Sequence, residues 1–556
     1  MNILDKLSEI PIQRMEATLT VTKNEHTSKV YFWLWTRRVL LALSLLLSFG
    51  GMYAYASRFV PLNSDDASIL LQAYDLIHKS KILNGWYLPS DNFITLDMPL
   101  YALGLKLGLS MPALMRIVPT LLYTGVMVSG VYLTTLGKQG KQKLLAPIAF
   151  MAIAAFPAME SMNIVLQGPI HVGTILGTLL AFIAYYFYKE RPYKVVTLLA
   201  LGILTLLLVI GDPMSEIIMV LPILLVEGIL LYKSKFRSRN QYALIGTVLF
   251  ATLLALYARH VWQHYVHILT FSTLDFETIP NIVTLAQDAV QIIFTLFHAK
   301  IFQQNLLSPR IFPELMNAAV VLFLAVGIWR WLKKIFVLET SHDALTTVLV
   351  FAILANILIY VCTDVAGAVI PRYLLPAFVF AGIIALPALS YIKKPELYIA
   401  IVGFFLLNGA LFFYRLHPLS TASIPEKNVI AFLQQKHLTK GIGQYWSAAS
   451  ITAQSNYTIT VRQVKVFDHQ LHPSFLLSND SWFQDDALKD VQFIVYQKKA
   501  DGGFYAGVIS SFGKPDHTYI VGSYTILTWD TPVMRHALPG YHLYTPLSVE
   551  DQGKKV

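Results

Sequence analysis

The stretch that decides the fold is RFVPLNSDDASILLQAYDLIHKSKILNGWYLPSDNF, residues 58–93. It follows an apolar run that ends at residue 56, and a run of roughly 20 apolar residues crosses a bilayer as a helix. Two adjacent carboxylates, Asp65 and Asp66, therefore stand close to a predicted membrane boundary. Acids that precede an apolar periodic run are typical of a helix N-terminus, which needs only one of them. The other carboxylate is free for a different role.

The composition indicates a polytopic membrane protein. Hydrophobic residues make up 55% of the 556 residues and charged residues only 14%, which excludes an ordinary soluble globule. The first apolar run is too long and too far from Met1 for a removable signal peptide, so we predict a permanent anchor. The net charge of +10 is not gathered on one segment, so no nucleic-acid partner is expected.

About eleven membrane spans are predicted, with a mean length close to what a bilayer requires. They lie near residues 39–58, 113–134, 144–161, 169–188, 195–211, 215–232, 242–261, 315–332, 346–363, 374–391 and 397–415. Clusters of Lys and Arg fall at every second connection, and such clusters stay in the cytoplasm. They are TRR at 36–38, GKQGKQK at 137–143, KERPYK at 189–194, KSKFRSR at 233–239, WRWLKK at 329–334 and IKK at 392–394. The chain is thus predicted to be a multi-pass protein of the cell membrane, with a cytoplasmic N-terminus and an extracytoplasmic C-terminus.

This topology divides the chain into three parts. Residues 1–38 form a cytoplasmic segment, and residues 39–415 form an all-α membrane module with external loops at 59–112 and 262–313. Both loops contain amphipathic helices, which we expect to lie at the membrane interface. Residues 416–556 alternate β-rich pieces with helical ones, which predicts an extracytoplasmic α/β domain.

The first external loop carries a recognisable series of motifs. After Asp65 and Asp66 come GWYLP at 85–89 and DMPLY at 97–101. In order and spacing this series resembles the first external loop of GT-C-fold glycosyltransferases, the superfamily of protein mannosyltransferases and aminoarabinose transferases. Met98 stands where the commoner pattern has a second proline. The segment GIGQYWSAASITAQSN, from residue 441, is similar to a motif in the C-terminal domain of such proteins, and HPSFLLSNDSWF, from residue 472, to another.

The resemblance implies a GT-C-type bundle and a glycosyltransferase of the bacterial cell envelope. Its donor would be a sugar on a polyprenyl phosphate or diphosphate, and its acceptor a hydroxyl of an envelope glycan, polymer or protein at the outer face of the bilayer. One carboxylate would remove the acceptor proton as the anomeric centre inverts. The position in the motif favours Asp65 for this base, with Asp66 as the second candidate.

Further site residues are predicted from their position on the outer side. Arg372 is the candidate for holding the leaving phosphate, beside Tyr373, because guanidinium can bind phosphate oxygens bidentately. An interfacial arginine that anchors lipid headgroups is the alternative for Arg372. The other candidate substrate-binding residues are Asp212, Trp86, Asp91, Asp97 and Arg58. Asp212 stands next to Pro213, so a helix-capping role is the alternative there.

No cofactor is firmly indicated. A divalent cation such as Mg²⁺ or Mn²⁺ is the candidate metal, because the side chains predicted on the outer side include carboxylates, which suit hard cations. The candidate ligands are Asp66, Glu160 and His171, although nothing in their spacing fixes a site.

Two other functions compete with glycosyl transfer. A transporter or flippase for a lipid-linked or polar substrate would also have many spans, but transporters place charges near mid-depth. The predicted spans here are almost free of charge at that depth. The third function is that of a membrane anchor for a binding module formed by the α/β tail, and the intact acidic pair counts against it.

Overall fold

A computed structural model of the chain describes most of its residues. These are residues 49–60, 62–138, 140–154, 159–190, 194–269, 275–302, 311–333, 340–364, 371–389, 425–498 and 503–539, with the single residues 42, 46, 305, 403, 541 and 543. The predicted cytoplasmic segment at 1–38 lies outside them, as do the predicted span at 397–415 except residue 403 and the first half of the predicted span at 39–58 except residues 42 and 46. Residues 53–58 of the latter span are helical.

Helices dominate the chain up to residue 389. They are α1 (Ser64–His78), α2 (Met98–Lys106), α3 (Met111–Thr135), α4 (Gly140–Ala154), α5 (Met159–Val165), α6 (Val172–Glu190), α7 (Lys194–Gly211), α8 (Leu221–Lys233), α9 (Arg239–Trp262), α10 (Ile279–Leu296), α11 (Ile311–Leu332), α12 (Ser341–Cys362) and α13 (Leu375–Leu389). A π-helical turn, Glu216–Val220, leads into α8, and a 3-10 turn, Pro371–Leu374, leads into α13. Proline stands in the first turn of α2, α3, α8 and α10, where its missing N–H costs nothing.

Six of the described helices are long and apolar enough to cross a membrane: α3, α6, α9, α10, α11 and α12. Five of them coincide with predicted spans, which confirms that those segments form helices long and apolar enough to cross a membrane. Two further apolar segments are shorter than these six helices. They are Val195–Gly211, within α7, and Pro371–Ala385, which covers the 3-10 turn and most of α13. The count of eleven is therefore not confirmed by the described residues.

Helix α10 lies in the second predicted external loop. The sequence of the second external loop predicts an interfacial helix, but α10 has 18 residues and enough apolar character to qualify as a span. An 18-residue helix is about 27 Å long, close to the hydrocarbon thickness of a bilayer. The interfacial prediction rests on the apolar residues along one side of the helix, with Gln287 and Asp288 opposite. It also rests on the alternation of Lys and Arg clusters, which a further crossing here would break.

A buried ion pair ties α6 to α8. Lys189 Nζ lies 2.9 and 3.1 Å from the two carboxylate oxygens of Glu227, and the Tyr185 hydroxyl donates to the same carboxylate at 2.6 Å. The side chain of Glu227 is 0% exposed and that of Lys189 16% exposed. A charge so far from water needs a partner, so these three side chains depend on one another.

Removal of the Lys189 charge is expected to destabilise the bundle. Lys189→Met should lower the free energy of unfolding by about 3 kcal/mol, because it leaves the Glu227 carboxylate buried without its counter-ion. The double variant Lys189→Met with Glu227→Gln should recover part of that loss. Thermal unfolding in detergent measures both, with the exposed Arg237→Met as control. Equal unfolding temperatures for Lys189→Met and the control would contradict the expectation.

The C-terminal part forms a mixed α/β unit, as predicted. Its strands are β3 (Lys440–Gln444), β4 (Thr460–Phe467), β5 (Gln470–Pro473), β7 (Phe493–Gln497), β8 (His517–Val521) and β9 (Tyr524–Thr528), in the sheet order β5-β4-β3-β7-β9-β8. Strand β3 pairs in parallel with β4 and β7, and the remaining pairs are antiparallel. One helix precedes these strands and three lie between them in the chain: α14 (Pro425–Gln435) comes before β3, followed by α15 (Tyr445–Gln454), α16 (Asp485–Leu488) and α17 (Phe504–Phe512). Buried apolar side chains from α14, α15 and the central strands form the core.

A second, three-stranded sheet joins distant parts of the chain. Strand β1 (Trp86–Pro89) of the first loop pairs in parallel with β2 (His267–Leu269) and antiparallel with β6 (Ser478–Asn479) of the C-terminal part. Gly85 precedes β1 with φ 77°, a conformation that favours glycine, and a Cβ there would lie 2.4 Å from Asp480 Oδ1. The GWYLP motif thus docks the first loop against the C-terminal part.

Helix α1 is buried more completely than its sequence predicts. The pattern of α1 predicts an interfacial helix with Asp75, His78 and Lys79 beside its apolar face. In the structure ten of its fifteen residues are buried, Asp75 among them. Asp75 accepts from Trp86 Nε1 at 3.2 Å and lies 3.0 Å from Lys79 Nζ. The difference arises because α15, some 380 residues later in the chain, packs against α1.

Candidate active site

The acidic pair begins α1, and its two carboxylates have different surroundings. Asn63 is the N-cap residue: its side chain accepts from the backbone N–H of Asp66 at 3.0 Å, and Asp66 Oδ2 accepts from Asn63 N at 3.2 Å. This reciprocal arrangement is a capping box, which satisfies two N–H groups that a helix start leaves unpaired. The predicted capping role therefore belongs to Asp66.

Asp66 also holds the loop that precedes α6. Its Oδ1 accepts from the backbone N–H of Gly168 at 2.6 Å. Burial raises the pKa of Asp66 to about 7, while the N–H donors of Gly168 and Asn63 oppose the shift. Both carboxylate oxygens are thus engaged by backbone donors. This arrangement favours a structural role for Asp66 over that of a base.

Gly168→Ala is expected to disturb the site through this contact. A Cβ at residue 168 would lie 2.8 Å from Asp66 Cα and 3.0 Å from its Oδ1, so backbone would have to move. Overpacking of this kind costs about 1–3 kcal/mol, and the unfolding temperature should fall accordingly. Gly228→Ala in α8 is the matched control, because nothing lies within 4 Å of its Cβ position. An unfolding temperature of Gly168→Ala equal to that of the control would contradict the contact.

Asp65 is half-buried and faces a different set of groups. The Tyr445 hydroxyl, at the start of α15, donates to Asp65 Oδ1. The other oxygen, Oδ2, has no hydrogen-bond partner among the residues that the structure describes. Burial raises the pKa of Asp65, and both the Tyr445 hydroxyl and the Arg372 guanidinium counteract that rise. Asp65 therefore has one carboxylate oxygen without a hydrogen-bond partner, and its pKa lies above its ordinary value.

Arg372 interacts electrostatically with two carboxylates of the site. Its guanidinium attracts the charges of both Asp65 and Asp91. Its Nη2 donates to the Tyr373 hydroxyl at 2.9 Å, and the guanidinium carbon lies 4.8 Å from the centre of the Tyr373 ring. Its Nε is buried without a hydrogen-bond partner in the described part of the chain. Arg372 and Tyr373, predicted together from the sequence, form one unit beside Asp65.

His171 and Asp212 form a buried pair. His171 Nδ1 lies 2.6 Å from Asp212 Oδ2, which also accepts from the Thr174 hydroxyl at 2.5 Å. Burial opposes a charge on His171, but the Asp212 carboxylate outweighs it and raises the pKa of His171. The His171 ring lies 5.5 Å from that of Tyr373, which connects the pair to Arg372. Asp212 is 1% exposed, so it acts on the site through His171.

Two further carboxylates adjoin this pair. Asp91 is half-buried, with Oδ2 3.9 Å from His171 Nε2, and burial raises its pKa. Asp97 is 1% exposed, and neither of its oxygens has a partner among the described residues. Burial and the nearby Asp212 charge raise the pKa of Asp97 to about 7. Asp91 is accessible to a ligand, whereas the placement of Asp97 favours an internal role.

The other predicted site residues lie apart from this cluster. Trp86 is fully buried, with its N–H on Asp75 and its ring 5.0 Å from that of Trp482. This placement favours packing over the predicted substrate contact. Arg58 is exposed near the end of the helix at 53–59, a position suited to a lipid headgroup anchor.

Two of the predicted metal ligands, Asp66 and His171, already have protein partners. Both oxygens of Asp66 accept from backbone N–H groups, and His171 Nδ1 is bonded to Asp212. The side chain of Glu160 lies outside the described part of the chain. Within that part, no group of three or more His, Cys, Asp or Glu side chains is arranged to hold a metal ion.

Four residues of the site were not predicted as site residues: Tyr445, Thr174, Gly168 and Arg116. Arg116, in α3, is 6% exposed, donates to the Val60 carbonyl at 2.6 Å and attracts the Asp66 charge. The signal for Tyr445 was present, because it stands in the tail motif GIGQYWSAAS. The motif identified the segment without indicating which residue it faces.

Comparison with known proteins gives structural neighbours only. No family model matches the sequence, and no curated protein matches it. Among solved structures the chain is similar to ArnT from Cupriavidus metallidurans bound to undecaprenyl phosphate, at 9% identity and a TM-score of 0.49, over 90% of this chain and 99% of that one. It is also similar to apo ArnT from the same organism, at 11% identity and a TM-score of 0.42, over 92% of this chain and 100% of that one.

Proposed function

We propose that the chain is a glycosyltransferase that moves a sugar from a polyprenyl phosphate or diphosphate to an acceptor hydroxyl. The observation that carries this proposal is the pairing of Asp65, a half-buried carboxylate with one oxygen lacking a partner, with the Arg372 guanidinium beside it. Base and cation are the two groups that displacement of a phosphate by a hydroxyl requires. The motifs at 63–105, which resemble those of GT-C-fold enzymes, point to the same reaction.

The reaction begins at the acceptor. Asp65 Oδ2 removes the proton of the acceptor hydroxyl while the oxygen attacks the anomeric carbon. The bond from that carbon to the phosphate oxygen breaks, the phosphate leaves with the electron pair, and the configuration inverts. Arg372, oriented by Tyr373, binds the phosphate oxygens as negative charge grows on them.

The remaining polar groups suit the sugar and the phosphate. His171, whose pKa the Asp212 carboxylate raises, lies next to Tyr373 and can carry a second positive charge. Asp91 is the accessible carboxylate of this group and can accept hydrogen bonds from sugar hydroxyls. Asp212 and Thr174 lie behind His171 and fix its ring.

An outer-face location is supported by the direction of the helices. Helix α6 begins beside His171 and has Lys189 in its last turn, and α8 ends at Lys233 before the basic segment that leads to Arg239. The cationic helix ends thus lie at the opposite end of α6 from Asp65 and Arg372. Since Lys and Arg near span ends favour the cytoplasm, we place the site on the extracytoplasmic side.

The same arrangement weighs against transport. The buried ionisable residues discussed above lie towards the two ends of α6, with His171 and Asp212 at one end and Lys189 with Glu227 at the other. Transporters place such groups near mid-depth, on the path of the substrate. Charges at the ends of a bundle favour chemistry at a surface.

Donor consumption tests the proposed function. Purified protein in proteoliposomes is supplied with a panel of polyprenyl phosphate and polyprenyl diphosphate sugars, together with a cell-envelope fraction that contains glycans, polymers and proteins as acceptors. We expect release of the free polyprenyl phosphate or diphosphate from at least one donor, measured by mass spectrometry. Release from none of the hexose or pentose donors would overturn the proposal.

A further inference from the structure

Tyr445 reaches Asp65 from the C-terminal part of the chain. It is the first residue of α15, and its hydroxyl donates to Asp65 Oδ1. The neighbouring Ser64 hydroxyl donates to the backbone carbonyl of Tyr445. Two successive residues of α1 therefore hold the backbone and the side chain of Tyr445. This double contact is independent of the interactions that Asp65 makes with Arg372.

The position of Tyr445 is fixed by further contacts between the same two parts of the chain. The rings of Tyr74 and Tyr457 stack with their centres 4.5 Å apart. Asn456 Oδ1 accepts from Met111 N at 3.0 Å, and Asn479 Nδ2 donates to the Asn84 carbonyl at 2.8 Å. The Tyr445 hydroxyl is thus presented to Asp65 by a docked domain and not by a free loop.

We propose that Tyr445 is a positioning residue for Asp65: its hydroxyl holds Oδ1 so that Oδ2 faces the acceptor, and the site is complete only when the C-terminal domain is docked on α1. The inference rests on the proposed function, because it assigns Oδ2 to the acceptor proton. A hydrogen bond to Oδ1 restricts rotation of the carboxylate. Oδ2 therefore faces the acceptor hydroxyl in a fixed direction.

The hydroxyl also favours the ionised form of Asp65. The charged and titratable groups that face Asp65 are Asp66 on its own helix, Arg372 on the turn before α13 and Tyr445 on α15; Arg116 on α3 faces Asp66. Donation from Tyr445 stabilises the carboxylate over the carboxylic acid. Loss of the hydroxyl should therefore raise the pKa of Asp65, so that a higher pH is needed to ionise the base.

Tyr445→Phe tests this inference through the pH profile. The ring and the backbone carbonyl that Ser64 contacts remain, so docking is retained. The acid limb of kcat/KM should move up by about one pH unit, which is the effect of losing one hydrogen bond to a charged group. Activity should fall at every pH because Oδ2 is no longer held, and roughly tenfold further below the shifted limb than above it. A loss that is equal at every pH would indicate a merely structural role and overturn the inference.

Tyr457→Phe is the matched control, since Tyr457 lies in the same docking surface and contacts Tyr74 instead of Asp65. Its profile should coincide with that of the wild type. An upward shift equal to that of Tyr445→Phe would assign the effect to docking in general and overturn the role of the Tyr445 hydroxyl.

Infrared titration separates this inference from the proposed function. The carboxylic acid band of Asp65 is identified in the full-length protein, without substrate, as the band that Asp65→Asn removes. Its midpoint should rise by about one pH unit in Tyr445→Phe. An unchanged midpoint overturns the inference, whatever the protein catalyses. A shifted midpoint in a protein that consumes no lipid-linked sugar would leave the contact intact and overturn the proposed function alone.

Discussion

Asp65→Asn is expected to lower the rate of sugar transfer by about 10³-fold, because the amide cannot take the proton of the acceptor hydroxyl. Asparagine has the same shape, and its amide oxygen can still accept from the Tyr445 hydroxyl. The fold and the docking of α15 on α1 should therefore be retained. Initial rates of transfer in proteoliposomes and the unfolding temperature in detergent measure the two effects separately.

Asp66→Asn supplies the contrast for this prediction. Its amide has one acceptor oxygen for two backbone donors, Asn63 N and Gly168 N, so one of them loses its partner. We expect a loss of about 1–3 kcal/mol in the free energy of unfolding, with a smaller effect on the rate than in Asp65→Asn. If Asp65→Asn kept its activity to within about tenfold while Asp66→Asn lost it, the two roles would have to be exchanged.

Arg372→Gln is expected to lower kcat/KM by about 10²–10³-fold. The guanidinium acts on the phosphate as it gains charge, so its removal should lower kcat as well as raise KM for the donor. Arg372→Lys should lie between the wild type and Arg372→Gln, because it keeps the charge and loses the bidentate geometry. Steady-state kinetics with the donor that the protein consumes checks both variants.

Arg237→Gln is the control, because it removes an exposed arginine near the cationic helix ends. It should leave kcat/KM unchanged. A rise in KM alone for Arg372→Gln, with kcat intact, would mean that Arg372 binds the carrier without stabilising the leaving phosphate. Unchanged values of both constants would contradict any role of Arg372 on the phosphate.

Much of the site was predictable from local sequence. The spacing of Asn63 and Asp66 is that of a capping box, and the second acid, Asp65, was left over for chemistry. Arg372 and Tyr373 were predicted from their place at the end of an apolar run, and the structure brings them beside Asp65. The positions of these residues could be predicted because capping and span ends depend on residues that are neighbours in the chain; their roles stay predictions.

Contacts between distant segments were not predictable in the same way. Asp75 looked like a solvent-facing acid because α1 alone is amphipathic, yet packing against the C-terminal part buries it. Trp86 was predicted as a substrate-binding residue, and the structure buries it with its N–H on Asp75 and its ring against Trp482. Tyr445 stood in a motif that one sequence cannot connect with Asp65. Periodicity shows which face of a helix is apolar, but not whether a second element covers its other face.

The most direct test of the account is a comparison of donor cleavage by the wild type and Asp65→Asn under identical conditions. Both proteins, at equal amounts in proteoliposomes, receive the same polyprenyl-linked sugar and acceptor, and the released polyprenyl phosphate or diphosphate is followed over a single turnover. The account predicts complete release by the wild type and about 10³-fold slower release by Asp65→Asn. Equal rates for the two proteins would contradict it.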